Sequence, residues 1–380
     1  MKILYKYLGL MLISALLLTS CEDQALEHEY YMGESLDQIY SNPDKIAAAC
    51  IGMYDALQNA EFLGGRALIY VDARGIDINP PTFFGNLSFF SPTSSDGTVT
   101  NAWQAAYRTI GECNLFLSGI ETAKANNVIT GDEYDDYAAQ GRFIRGVVYF
   151  YVLNFWGQSY VKESSNLGVP LALVPYDGGT AFTEAITVPR SPIADCYTQI
   201  IKDFEFAEQH LPTDRGSAYE NRALALSYAA QAMLSRVYLY MKDNGNAITY
   251  ANKVIGKYSL DVSTYSNFLS PESSPEIIFG VAMNMGDNPN TNNALGQHYG
   301  RASGRGDITV TASYAALFSD DDVRKTECIE YANESWWCYK YRKASDGWVP
   351  IIRYAEILLN KAEALVKSTN TVNADAITLL

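Results

Sequence analysis

The stretch Pro350-Ile351-Ile352-Arg353-Tyr354-Ala355-Glu356-Ile357-Leu358-Leu359, continued by Ala362-Glu363-Ala364, decides the fold class. Ala355, Leu358, Leu359, Ala362 and Val366 recur at helical spacing, which predicts an amphipathic helix from Pro350, a residue well tolerated in the first turn. A turn at Ser368 to Val372 and a second helix running to Leu380 complete an antiparallel pair. Upstream, Ala223 to Tyr240, the turn Asp243-Asn244-Gly245 and Ala247 to Tyr258 read as another such pair. Its Ala229, Ala230 and Ala232 let the paired helices approach closely, as in tetratricopeptide hairpins that stack to bury a continuous core.

Three more helices lie further toward the N-terminus. Trp103, Ala106, Tyr107, Ile110, Cys113 and Leu117 share one face. Phe143, Val147 and Phe150 repeat the pattern beside Arg142 and Arg145, and Gly157 stops it. The third helix starts at Pro192 with Ser191 as N-cap, runs to about His210 and is stopped by Leu211-Pro212. Two long stretches rich in Gly, Asn, Ser, Thr and Pro interrupt the helices, Asp72 to Asn101 and Ser259 to Ala312. Long loops in a compact domain are usually functional or disordered. Glu276 to Val281 reads as a short strand.

The first residues carry Lys2 and Lys6, and Leu8 to Leu18 is nearly all apolar, the charged and apolar regions of a secretory signal. This run is about half of the roughly 20 residues that span a bilayer, so it reads as a cleavable leader, not a transmembrane helix. Leu18-Thr19-Ser20-Cys21 resembles the bacterial lipobox, in which the cysteine is acylated. Glu22-Asp23 resembles the acidic tag that directs Bacteroidetes lipoproteins to the outer face. The expected plan is a signal peptide over 1–20, a lipidated tether over 21–35, and N- and C-terminal regions over 36–215 and 216–380.

A net charge of -15 argues against nucleic acid, because binding phosphates needs a basic surface. Besides Cys21 there are Cys50, Cys113, Cys196, Cys328 and Cys338, without CxxC spacing and with only three histidines, so neither a zinc site nor any other cofactor is indicated. Cys328 and Cys338 flank an aromatic-rich segment and could pair as a disulfide or stay as two thiols.

Taken in order, these segments resemble the SusD/RagB family of outer-membrane nutrient-binding lipoproteins. Trp103-Gln104-Ala105-Ala106-Tyr107-Arg108-Thr109-Ile110 with Cys113-Asn114 is similar to the family's first core helix. Gly141-Arg142-Phe143-Ile144-Arg145-Gly146, leading to Tyr149-Phe150 and Trp156-Gly157, is similar to its second, where the family usually has Ala at the position of Gly146. Ala229 to Tyr240 with Ala247, Tyr250 and Ala251 resembles the following helix pair, and Pro350 to Ala364 the C-terminal hallmark. The resemblance implies a mainly α, tetratricopeptide-like scaffold with a ligand site on loops. It also implies docking over a SusC-like TonB-dependent transporter at the outer membrane, to which lipid on Cys21 holds the chain. Asn373 to Ile377 resembles the start of a family helix that leads into further residues, so the chain is expected to be C-terminally incomplete relative to the family.

A glycan site needs aromatic platforms for apolar sugar faces and polar groups at their edge, but no metal or nucleophile. The candidates are Phe83, Phe84, Phe89 and Phe90 with Asp72, Arg74 and Asn86 in the first loop, Tyr299 and Arg301 in the second, and Trp336-Trp337. The tryptophan pair ranks first, because adjacent residues on a strand point to opposite faces. An enzyme is the weaker reading. Glu356 and Glu363 on one helix would stand about 10 Å apart, too far for a retaining glycosidase and marginal for an inverting one. Arg353, Glu356 and Glu363 therefore read as structural ion-pair residues, and Asn114 as a satisfied core amide. Arg305-Gly306-Asp307 matches an adhesion tripeptide with almost no specificity. The expectation is a non-enzymatic receptor for an oligosaccharide, with a peptide receptor or a purely structural transporter lid as alternatives.

Overall fold

Long helices follow one another through the chain, each packed on the next. They are α1 (Pro43–Leu57), α2 (Gly97–Ala125), α3 (Gly131–Trp156), α4 (Ile193–His210), α5 (Ser227–Tyr240), α6 (Asn244–Val254) and α7 (Tyr354–Thr369). The computed structural model describes residues 34–175, 188–261, 263, 265–289, 293–301 and 304–380, so the leader, Cys21 and Glu22-Asp23 lie outside the described residues.

Local chemistry sets most of the helix ends. The Asp96 carboxylate accepts from the Thr98 N–H at the start of α2, and Thr130 and Glu133 form a reciprocal capping box on α3. The stripe expected on α2 is the one buried: Ala106, Ile110 and Cys113 are inside, with Trp103, Tyr107 and Leu117 packed against the core. Gly157 ends α3 as expected. On α4 the cap position falls on Pro192 and not on Ser191, whose backbone is held in an exchange of hydrogen bonds with Gly168 and Val169 one step before the helix. The hairpin helix expected from Ala223 is broken at 224–226, where the Tyr54 hydroxyl accepts from the Ala225 N–H at 3.0 Å. Beyond the break, Ala229, Ala230 and Ala232 are fully buried in α5, as their size predicts.

The reading of the C-terminal hallmark needs two corrections. Val349–Arg353 is a strand, β6, antiparallel to β2 (Ile277–Val281), so α7 begins at Tyr354 and not at Pro350. Pairing with a fully buried neighbouring strand outweighs local helix preference. The buried face of α7 carries Tyr354, Ile357 and Ala364, whereas Leu359 and Val366 are exposed. That face is set by contact with α5 and α6, not by the apolar residue count alone. Asn370, at φ 52, closes α7 in the left-handed region.

The remaining strands build an antiparallel sheet in the order β1-β3-β5-β4, with β1 at Ile78–Asn79, β3 at Thr309–Val310, β4 at Ile329–Ala332 and β5 at Ser335–Cys338. It joins both long loops to the aromatic segment near the C-terminus. Cys328 and Cys338 are buried thiols and no disulfide joins them.

Gly146 lies where α3 meets α4. A Cβ there would come within 3.0 Å of the Phe204 ring. That ring is fully buried and packed against Phe143 at 5.7 Å, so it cannot give way. Gly146→Ala is expected to lower stability by about 1 kcal/mol in thermal unfolding. Overpacking of about 1–3 kcal/mol outweighs a helix-propensity gain of about 1 kcal/mol.

Candidate functional site

Strand register decides which side chains share a surface. Asn79 stands opposite Thr309, Thr309 opposite Trp337, and Trp337 opposite Glu330, a single row across all four strands. The neighbouring row, Ile78, Val310, Trp336 and Tyr331, faces the other way. Of the adjacent tryptophans, then, one belongs to each face.

The row holding Trp337 is polar at both ends. The Asn79 amide donates to the Thr309 hydroxyl at 3.0 Å. At the other end Arg301 grips Glu330 through two bonds, Nε to Oε2 at 3.1 Å and Nη2 to Oε1 at 2.7 Å. Hydrogen bonding to Glu330 holds the Arg301 guanidinium above its usual range. The indole itself is pinned, its Nε1 donating to the Ala332 carbonyl at 2.9 Å. Gly306, at φ +58, brings its loop onto this face. A Cβ there would meet the Arg301 Cα at 2.9 Å and the Trp337 ring at 3.4 Å, so only glycine fits.

The same loop reaches an aromatic platform. The Arg305 guanidinium lies over the Phe83 ring, 5.4 Å from its centroid, and pairs with Asp307 at 2.9 Å. The other Asp307 oxygen lies 2.9 Å from Nδ1 of the fully buried His298. Phe83 is half exposed and rests against the buried Phe84 at 4.3 Å, which in turn contacts Tyr70 and His298. Tripeptide and platform thus form one supported unit.

Several sequence candidates take other positions. Phe84 is core, because it braces Phe83 from beneath. Tyr299 is also buried, its hydroxyl donating to Asp72. Burial pushes the Asp72 carboxyl up, opposed by that hydrogen bond and by nearby Lys340. Both line a cavity of 670 Å³ with Lys340 and Tyr341, Tyr299 as a buried wall residue and Asp72 with an exposed side. Trp336 packs against Tyr331 on the opposite face. Arg74 lines a separate apolar pocket of 140 Å³ with Phe155 and Trp156. Asn86 donates to Asp96, the cap of α2, which makes it a loop brace. Phe89 and Phe90 are largely exposed on the loop leading to α2.

Asn79 and Thr309 were not legible as site residues, since two-residue strands carry no periodicity from which to read a register, and Glu330 and Arg305 join them only through pairing with Trp337 and contact with Phe83. The ion-pair reading of the hallmark holds, with unforeseen partners: Arg353 pairs with Glu276, Glu356 with Arg236 and Glu363 with Lys367. Asn114 is a satisfied core amide, donating to the Ala172 carbonyl and accepting from Arg145.

The family profile described as "Starch-binding associating with outer membrane" matches residues 31–239, more than half of the chain. The chain belongs to the SusD-like family. A second SusD family profile matches residues 331–380, which include the C-terminal hallmark. This SusD-like chain is 23% identical over 279 residues to SusD-like protein P25 of Formosa agariphila, covering 69% of this chain and 49% of that protein. It is 24% identical over 265 residues to a SusD-like protein of Bacteroides ovatus, covering 66% of this chain and 44% of that protein. The chain therefore spans about half the length of these two relatives or less. A SusD superfamily protein from Bacteroides fragilis superposes with a TM-score of 0.79 at 28% identity, covering 90% of this chain and 79% of that one. The mainly α, tetratricopeptide-like architecture expected for a SusD-like chain is thus the observed one.

Proposed function

We propose that this chain is a non-enzymatic receptor that binds an oligosaccharide on the Trp337 face of the sheet. It delivers the sugar to a SusC-like TonB-dependent transporter while lipid on Cys21 holds it at the outer membrane. The observation that carries this reading is the cross-strand row: a pinned indole flanked by an amide and hydroxyl at one end and a guanidinium–carboxylate pair at the other. Sugar C–H faces stack on such a ring while hydroxyls reach the polar groups beside it. Phe83 and Arg305 extend the surface for a longer chain. Each arginine is already paired with a carboxylate, which leaves the surface close to neutral and suits an uncharged glycan.

Calorimetry against a panel of oligosaccharides tests the reading. A member of the panel should bind, and Trp337→Ala should weaken it about tenfold, near the 1.4 kcal/mol expected for one lost stacking contact. Binding of peptides but of no glycan would transfer the site to the peptide reading. Co-purification with the transporter without any ligand binding would leave only the structural lid. A glycan affinity unchanged by Trp337→Ala would remove this face from the site.

A further inference from the structure

On a chain with net charge -15, a concave surface lined by Arg222 and Lys257 carries the opposite sign. It is a cavity of 470 Å³ where the loop after α4, the start of α5 and the loop after α6 come together, and none of its lining residues is acidic. Its lining includes Arg222, Lys257, Tyr228 and Tyr258 together with the neutral polar residues Thr213, Asn221 and Ser259.

Among the described residues neither cation has a carboxylate partner. Arg222 is half buried and spends its donors on backbone, Nε on the Ser274 carbonyl and Nη1 on the Ala218 carbonyl. Burial without a countercharge holds this guanidinium below its usual range. Exposed Lys257 lies over the Tyr228 ring, 5.8 Å from its centroid, and forms no ion pair among the described residues. Tyr228 and Tyr258 meet edge to face at 6.2 Å, and both line the cavity. The start of α5 borders the cavity through Leu226 and Tyr228, with the Ser227 N–H already donated to the Pro212 carbonyl. A guanidinium fixed by two carbonyls and lacking an anion is a preformed half of a charge-assisted hydrogen bond. We propose that this pocket binds a small solute through a phosphate or carboxylate group, at a site separate from the Trp337 face.

Titration calorimetry of the full chain with inorganic phosphate, and separately with succinate, at ionic strength held constant with sodium chloride, tests the proposal. Saturable one-to-one binding of either probe is expected, and the stronger probe names the group. Lys257→Gln, at an exposed position where folding should be unaffected, is expected to weaken that binding at least fivefold. Adding Arg222→Gln should abolish it, with the circular dichroism spectrum checked for retained fold. Trp337→Ala should leave it unchanged. No saturable binding of either probe, heats reproduced by chloride alone, or equal binding by Lys257→Gln would overturn the proposal.

Discussion

Asp203→Ala is expected to cost about 3–5 kcal/mol of stability, the range for breaking a buried ion pair by removing one partner. Asp203 is fully buried on α4 and takes both Nε and Nη2 of Arg145 on α3, at 2.9 and 2.7 Å. The third arm of the guanidinium donates to Asn114 on α2 at 2.8 Å. One cation thus ties three consecutive helices together, and Asn114 passes the link on to the Ala172 carbonyl. Truncation leaves a buried guanidinium with one neutral partner, Asn114, where a carboxylate had balanced its charge. Equilibrium urea unfolding should show a lower midpoint at unchanged slope. The double replacement Arg145→Met, Asp203→Leu should recover much of the loss, since it removes both charges instead of orphaning one. A loss below about 1 kcal/mol for Asp203→Ala would mean that Arg145 finds other compensation.

Glu356→Ala comes second, at about 2–3 kcal/mol, the buried-pair range discounted because Glu356 is one third exposed. Its partner Arg236, on α5, is buried and donates to both carboxylate oxygens at 2.5 Å and to the Ile351 carbonyl of β6 at 2.7 Å. The contact fastens α7 and its leading strand to the middle of the helical array. Glu356→Gln keeps the shape and one acceptor, and should lose less than the alanine variant. Urea unfolding of both variants, compared with Glu363→Ala, checks this. Glu363 pairs with exposed Lys367 on its own helix, and its loss should cost less than about 0.5 kcal/mol. Equal effects at positions 356 and 363 would contradict the assignment.

These two residues also mark how much was legible beforehand. Periodicity placed Arg145 and Glu356 on helices, and for Glu356 the sequence offered Arg353 on the same face, which pairs with Glu276 instead. Their partners lie 58 and 120 positions away, so the pairing follows from packing alone. The same holds in the site. The sequence pointed to Trp337, Arg301 and Phe83 by composition and loop context, but it also nominated Tyr299 and Phe84, which pack inward. Aromatic residues on irregular loops have no repeating pattern that separates platform from core.

By itself, the sequence determined the chain of amphipathic helices, the stops of α3 at Gly157 and α4 at Leu211, the small-residue seam of α5 and the separation of two long loops from the scaffold. Each of these depends on residues within a few positions of one another. Only the tertiary structure decided that 349–353 is a strand, which face of α7 is buried, which charges pair, and that Trp337 and not Trp336 shares a surface with Asn79, Thr309 and Glu330. Those outcomes depend on segments far apart in the chain meeting in one register, and a shift of one residue would have turned the other tryptophan to that face.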